Sequence, residues 1–306
     1  MPRIVAREGA SSTWGWVAGL TYLSAILCAI GIGRPSLYID EVHSFEFAAL
    51  PSVPLVLLNA AARDAYPPLY FILLHCWALV AQDEIWLRMS SVLFHLASIP
   101  LIFLVGRRLL GREAGIVAAA LLACSPFHLG FARELRMYSL VGFLSLLSME
   151  GLLAWLQDRS RRGWWTWGLA GLALLYTHFM GVLLLVAQLA IVVTGEEWRR
   201  RRGDVLRWMA LLIIGFLPWS LFFVKAFVVT HGYGGEAPLH HLVYALLRAL
   251  TVGFGQADWL NQSGQVLAVV MLVGLWSLPS SPARNPLALW ALVPLALELI
   301  LTVAGK

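Results

Sequence analysis

The sequence contains little charge. Asp, Glu, Lys and Arg together make up 13% of the 306 residues, against roughly 25% in soluble domains. Hydrophobic residues make up 60%, and the mean hydropathy is +0.77. These values exclude an ordinary soluble domain, so the length limits the number of membrane crossings, at about 20 apolar residues per helix. The net charge of +5 does not indicate nucleic-acid binding, because the basic residues cluster in short loops between apolar segments.

Cysteine is scarce, and several familiar motifs are missing. Cys28, Cys76 and Cys124 lie in apolar stretches without CxxC spacing, so the sequence indicates no disulfide framework. Histidines and acids do not recur at metal-ligand spacing, which argues against a zinc site. The sequence has no Gly-rich phosphate loop, and this argues against a soluble nucleotide-sugar donor or an ATP-driven pump.

Long uncharged stretches predict an all-α membrane bundle with about nine crossings. Residues 164–194 contain no acid, lysine or arginine. As one helix they would extend about 46 Å, too long for a ~30 Å hydrocarbon core. We therefore predict two short helices here, with a turn near Tyr176–His178. The other predicted crossings are residues 14–33, 89–106, 114–130, 137–157, 208–224, 265–279 and 287–305.

The apolar segment that begins at Pro67 is predicted not to cross the membrane. Without a crossing here, the basic clusters at residues 107–112, 159–162 and 199–207 all lie on the side of the N-terminus, which the positive-inside rule makes cytoplasmic. The segment is short and opens with two prolines, so it is predicted to be a juxtamembrane or re-entrant helix. The chain is then one transmembrane domain over residues 1–306, with a first outer loop at 34–88 and a later one at 225–264.

The first two predicted outer loops both carry charged residues close to the membrane boundary. Asp40 and Glu41 begin the first, and the second carries Arg133, Glu134 and Arg136. A carboxylate can take the proton from a hydroxyl that attacks an anomeric carbon. An arginine can hold a lipid-phosphate leaving group. The same acids would equally suit a solvated loop or a helix cap, and the arginines an interfacial anchor, so spacing alone does not decide.

Three ordered stretches resemble a known family: DEVHSFEFA from Asp40, DAYPPLYFILLH from Asp64, and the long run from Leu87 to Leu140. They resemble the GT-C class of membrane glycosyltransferases, in the bacterial branch related to protein O-mannosyltransferases and the aminoarabinose lipid A transferase. The resemblance covers about residues 35–195. It implies a large first outer loop with juxtamembrane helices. It also implies a polyprenyl- or dolichyl-phosphate-linked sugar donor and a glycan, lipid or protein acceptor.

The resemblance also implies roles for individual residues. Asp40 would be the general base of an inverting transfer, and Glu41 would position the acceptor or the base. Asp64 matches the acid before the Pro-Pro helix. The remaining implied contacts with the sugar or the lipid phosphate are Arg133, Glu134, Arg136, Tyr138 and His178. The sequence neither requires nor excludes a divalent cation between Asp40 and the second-loop acid, so the metal requirement is unknown.

Two other functions are compatible with the sequence. A transporter or flippase of a lipid-linked or anionic substrate would use the same charges, although the inverted repeats and broken midplane helices of many transporters are not evident. Relatives usually continue for several helices beyond a stretch like 287–305, so we expect a fragment or a short member, and a non-catalytic truncated paralogue is the third possibility. The expected location is the inner (plasma) membrane, with the N-terminus in the cytoplasm and the site on the outer face.

Overall fold

The computed structural model describes residues 2–33, 37–63, 67–195, 198–229, 285–290 and 293. These residues form α-helices and connecting turns without any strand, so the predicted all-α class is confirmed. In chain order the helices are α1 Pro2–Ala29, α2 Ile39–Ala48, α3 Val53–Arg63, α4 Leu69–Ala78, α5 Glu84–Leu110, α6 Arg112–Ala123, α7 Pro126–Ala132, α8 Tyr138–Asp158, α9 Arg161–Thr177, α10 Gly181–Thr194 and α11 Trp198–Val229.

Several of these helices are long and apolar enough to cross a membrane. They are α5, α8 and the Arg200–Ser220 part of α11, and the bent pair α6–α7 counts as a fourth. The described residues therefore supply three or four candidate spans, and the predicted total of nine stays a prediction. The predicted crossing at 265–279 lies outside the described residues, as do most of the crossing at 287–305 and of the loop at 225–264.

The predicted single crossing at 114–130 is broken in the structure. Helices α6 and α7 meet at an angle of 57° across Cys124 and Ser125. Ser125 is the N-cap of α7, where its side chain accepts a hydrogen bond from the His128 backbone N–H, and Pro126 is the first helical residue. Serine favours the N-cap, and a proline disfavours helical geometry in the residue before it. The break therefore has a local cause in the Ser-Pro pair.

The predicted division of residues 164–194 into two short helices is confirmed. Helix α9 ends at Thr177 and α10 begins at Gly181, which places the turn at His178, where the backbone is extended. Helix α4 begins just after Pro67 and Pro68 and has 10 residues. At about 15 Å it is too short to span a ~30 Å core, and its juxtamembrane or re-entrant placement stays a prediction.

The chain reverses direction between successive long helices, so the bundle has two distinct ends. At the basic end, Arg108 donates hydrogen bonds to Glu150 at 2.6 Å and to Asp158 at 2.7 Å. At the same end, Arg201 donates to the Trp155 carbonyl at 2.6 Å. The opposite end, here called the site end, carries α2, the start of α5, residues 133–138 and the turn at His178.

Close backbone packing of α8 against α9 gives a first testable prediction. A Cβ atom on Gly151 would lie 2.5 Å from the Trp167 backbone nitrogen and 2.9 Å from the Gly163 carbonyl oxygen. Gly151→Ala is therefore expected to lower the free energy of unfolding by about 1–3 kcal/mol through overpacking. The matched control is Gly142→Ala on the same helix, where a Cβ meets nothing within 4 Å. Equal thermal unfolding temperatures for the two variants in detergent would contradict this packing.

Candidate functional site

Glu41 is buried at the third position of α2, with 1% of its surface exposed. Its Oε1 accepts hydrogen bonds from Arg88 Nε at 2.9 Å and from the Leu135 backbone N–H at 2.8 Å. Its Oε2 accepts from Arg88 Nη2 at 2.8 Å and from the Tyr38 backbone N–H at 3.4 Å. A buried carboxylate needs such partners. Both oxygens of Glu41 are therefore engaged within the protein, one of them in capping α2.

Arg88 is the partner that sequence reasoning missed. It lies near the start of α5 with 0% of its surface exposed. Besides its paired contacts with Glu41, its Nη1 donates to the Ile32 carbonyl at 2.8 Å. The Arg88 guanidinium thus connects the segment that follows α1 with α2. Because Glu41 also accepts from the Leu135 N–H, the same group is linked to the loop after α7. The available signal was its place directly before the predicted crossing at 89–106, because a charge so close to the hydrocarbon requires a partner.

Asp40, one residue before Glu41, has a different environment. Its side chain is exposed, and its carboxylate has no hydrogen-bond or ion-pair partner among the described residues. Its backbone carbonyl, in contrast, accepts hydrogen bonds from Arg136 Nη1 and Ser44 Oγ, each at 3.2 Å. The backbone of Asp40 is therefore held in place while its carboxylate stays available.

Glu134, in the loop between α7 and α8, brings a second carboxylate to this region. The Tyr38 hydroxyl donates a hydrogen bond to Glu134 Oε2 at 3.1 Å. Burial raises the pKa of Glu134 above its usual range. The Tyr38 hydrogen bond and the charge of Arg136 oppose this rise, whereas the charges of Glu41 and Asp40 add to it. Asp40 and Glu134 therefore lie within electrostatic reach of each other.

Arg136, Tyr138 and His178 extend the site across the bundle. Arg136 is 3% exposed, and its guanidinium lies 5.8 Å from the centre of the Tyr138 ring. The Tyr138 and His178 rings are 6.3 Å apart, and His178 Nδ1 accepts the Met180 backbone N–H at 3.1 Å. Burial, and then the charge of Arg136, lower the pKa of His178 to about 4. His178 is therefore neutral at pH 7.

The remaining predicted site residues do not join this group. The Arg133 guanidinium donates through Nη2 to the Leu27 carbonyl of α1, so it ties the end of α7 to α1. Asp64 lies outside the described residues. Among the described residues, no cluster of three or more His, Cys, Asp or Glu side chains could hold a metal ion.

An apolar groove of about 430 Å³ lies between α10 and α11. Its lining includes Phe179, Val182 and Leu217 towards the site end and Leu189 and Trp208 deeper in the bundle. Phe179 also stacks on His178, with ring centres 4.8 Å apart. The groove therefore begins beside the site residues and runs along a candidate membrane span.

Comparison with known families decides the class of the protein. The model of the family described as dolichyl-phosphate-mannose-protein mannosyltransferase matches residues 65–222, just over half of the chain. The chain belongs to this mannosyltransferase family. It is accordingly a membrane glycosyltransferase of the GT-C type, which confirms the predicted class, and the family implies a lipid-linked sugar donor and an acceptor. No curated protein matches the chain.

The family match begins after the acid pair. It covers Arg88 and the loop from residue 133 to 137, whereas Asp40 and Glu41 precede it. Hydrogen bonds join the two parts, from Arg88 to Glu41 and from Arg136 to the Asp40 carbonyl. The acid pair is therefore fixed in space by residues that the mannosyltransferase family model does cover.

Proposed function

We propose that the chain transfers a sugar from a polyprenyl-phosphate donor to an acceptor hydroxyl with inversion, and that Asp40 is the general base. The contrast between the two neighbouring acids carries this proposal. Both oxygens of Glu41 are occupied by protein donors, whereas the Asp40 carboxylate is exposed and has no partner among the described residues. A general base must come within hydrogen-bond reach of the proton that it removes, which suits Asp40 alone of the pair.

The proposed reaction is a single displacement. The acceptor oxygen forms a bond to the anomeric carbon on the face opposite the phosphate, while the bond between that carbon and the phosphate oxygen breaks. The bonding electrons leave with the lipid phosphate, and the hydroxyl proton passes to Asp40. The product carries the opposite anomeric configuration.

The other site residues position these groups. Glu41, through Arg88, sets the start of α2 and hence the position of Asp40. Arg136 holds the Asp40 backbone and places a positive charge near the region where charge develops on the phosphate. Tyr138 and His178 border the same space, and Arg133 ties the end of α7, just before Glu134, to α1.

We further propose that the site end faces the outside of the cell membrane. The opposite end carries Arg107, Arg108, Arg112 and the arginines at 159–162 and 199–202. Clustered arginines in short loops favour the cytoplasmic side. A bacterial cell would then hold the chain in its inner membrane with the site towards the periplasm.

The groove between α10 and α11 is the proposed place for the prenyl chain. Along α11, residues 208–220 extend about 18 Å into the bundle from the site end. Met209→Trp would partly fill this groove and is expected to raise KM for a long-chain donor about tenfold, through loss of roughly 1.4 kcal/mol of apolar contact. Transfer from a donor with a very short prenyl chain should be unchanged.

The matched control for the groove is Ile214→Trp. Ile214 lies on the same helix with 69% of its surface exposed and does not line the groove. Equal effects of Met209→Trp on long-chain and short-chain donors would show that the prenyl chain lies elsewhere.

The function itself is tested with purified protein in sealed liposomes. Polyprenyl-phosphate donors carrying radiolabelled mannose or other sugars are supplied with peptide, lipid and glycan acceptors. Covalent transfer of the label supports the proposal. Movement of intact donor across the bilayer without covalent change would instead favour the transporter.

A further inference from the structure

We propose that Tyr38 is a positioning residue of this site, whose hydroxyl holds the Glu134 carboxylate near Asp40 as a second hydrogen-bond acceptor for substrate hydroxyls. The inference rests on the proposed function, because it assigns a partner to the base. Sequence reasoning singled out Glu134 but not Tyr38.

The position of Tyr38 is fixed independently of Glu134. Tyr38 is the N-cap residue of α2, and its carbonyl accepts the backbone N–H groups of Glu41 and Val42 at 2.9 and 3.0 Å. Its own backbone N–H donates to Glu41 Oε2. From this fixed backbone the phenol reaches across 96 residues of sequence to Glu134. The residue is 43% exposed, so core packing does not account for its placement.

The charges around Glu134 oppose one another, so this hydrogen bond affects how readily Glu134 ionises. Burial and two neighbouring carboxylates disfavour the ionised form of Glu134, while nearby arginines favour it. Burial, and then the charge of Glu134, raise the pKa of the Tyr38 phenol, so Tyr38 remains a donor at neutral pH. The charged groups facing Glu134 are Asp40 and Glu41 from α2, Arg88 from α5 and Arg136 from its own loop.

The protonation state of Glu134 determines what it can do. An ionised carboxylate only accepts hydrogen bonds, whereas a protonated one also donates. With the Tyr38 hydrogen bond in place, an ionised Glu134 would add a second acceptor to that of Asp40. Loss of the Tyr38 hydroxyl would leave Glu134 closer to protonation at neutral pH.

The test is the pH dependence of kcat/KM in Tyr38→Phe. If transfer needs ionised Glu134, activity falls as the pH decreases through the pKa of Glu134. Removing the hydroxyl raises that pKa, so the acidic limb of the profile is expected to move to higher pH by about one unit. In a Glu134→Gln background, Tyr38→Phe should cause no such shift. Tyr22→Phe, an exposed tyrosine on α1, is the control and should keep the wild-type profile.

A second readout does not depend on transfer. Infrared difference spectroscopy follows protonation of carboxyl groups, and Glu134→Gln identifies the band of Glu134. The pH midpoint of the Glu134 titration is expected to rise in Tyr38→Phe. This result does not require transfer activity. If the supplied donors support no transfer, only the proposed function is in question. An unchanged midpoint in folded protein, or an equal loss of activity at every pH, would overturn the role of Tyr38.

Discussion

Arg88→Met is expected to yield little folded protein. The substitution leaves the Glu41 carboxylate buried with its main countercharge removed. Breaking a buried ion pair from one side costs about 3–5 kcal/mol, a large part of the roughly 5–15 kcal/mol that stabilises a typical native state. The fraction of monodisperse protein after detergent extraction and the thermal unfolding temperature would both decrease.

Two further variants make this prediction specific to the ion pair. Arg107→Met removes an exposed arginine from the other end of α5 and should leave the unfolding temperature near that of the wild type. The double variant Arg88→Met/Glu41→Met should recover part of the lost stability, because no uncompensated charge is then buried. A wild-type unfolding temperature for Arg88→Met would show that the pair does not hold this end of the bundle together.

Asp40→Asn is expected to reduce the rate of sugar transfer about 100- to 10,000-fold. Asparagine keeps the shape of the side chain but cannot take up the acceptor proton, and general-base catalysis typically contributes this much. The unfolding temperature should not change, because the Asp40 carboxylate has no partner among the described residues. Glu46→Gln, an exposed acid on the same helix, is the matched control and should keep full activity.

Substitution of the two adjacent acids should therefore have different effects on stability and on activity. Glu41→Gln weakens a buried ion pair and should lower the unfolding temperature. Asp40→Asn should leave the fold intact and slow the chemistry. If both variants lost stability equally, the division of roles between Asp40 and Glu41 would be wrong.

Much of the fold could be predicted because its signals are local. Apolar stretches give the helices, and the excessive length of 164–194 gives the turn that the structure places at His178. The break between α6 and α7 also had a local signal in Ser125 and Pro126, but the surrounding run of residues 114–130 contains no Asp, Glu, Lys or Arg. Hydropathy alone does not reveal such a break.

The site could be predicted only in part, because partner choice depends on the folded arrangement. The motifs brought Asp40, Glu134 and His178 to notice, and the structure places them at one end of the bundle. They could not show that Glu41 pairs with Arg88 across 47 residues, or that Arg133 reaches α1 across 106 residues. Adjacent acids look alike in sequence, and only their neighbours in space separate a structural role from a chemical one.

The most direct test of the central claim is a single-turnover measurement in liposomes. Wild type and Asp40→Asn are each saturated with a radiolabelled polyprenyl-phosphate sugar, and the rate of glycosylation is measured after acceptor is added. The account predicts equal donor binding and a rate at least about 100-fold lower in Asp40→Asn. A variant that binds donor and transfers the sugar at the wild-type rate would contradict the assignment of Asp40 as the base.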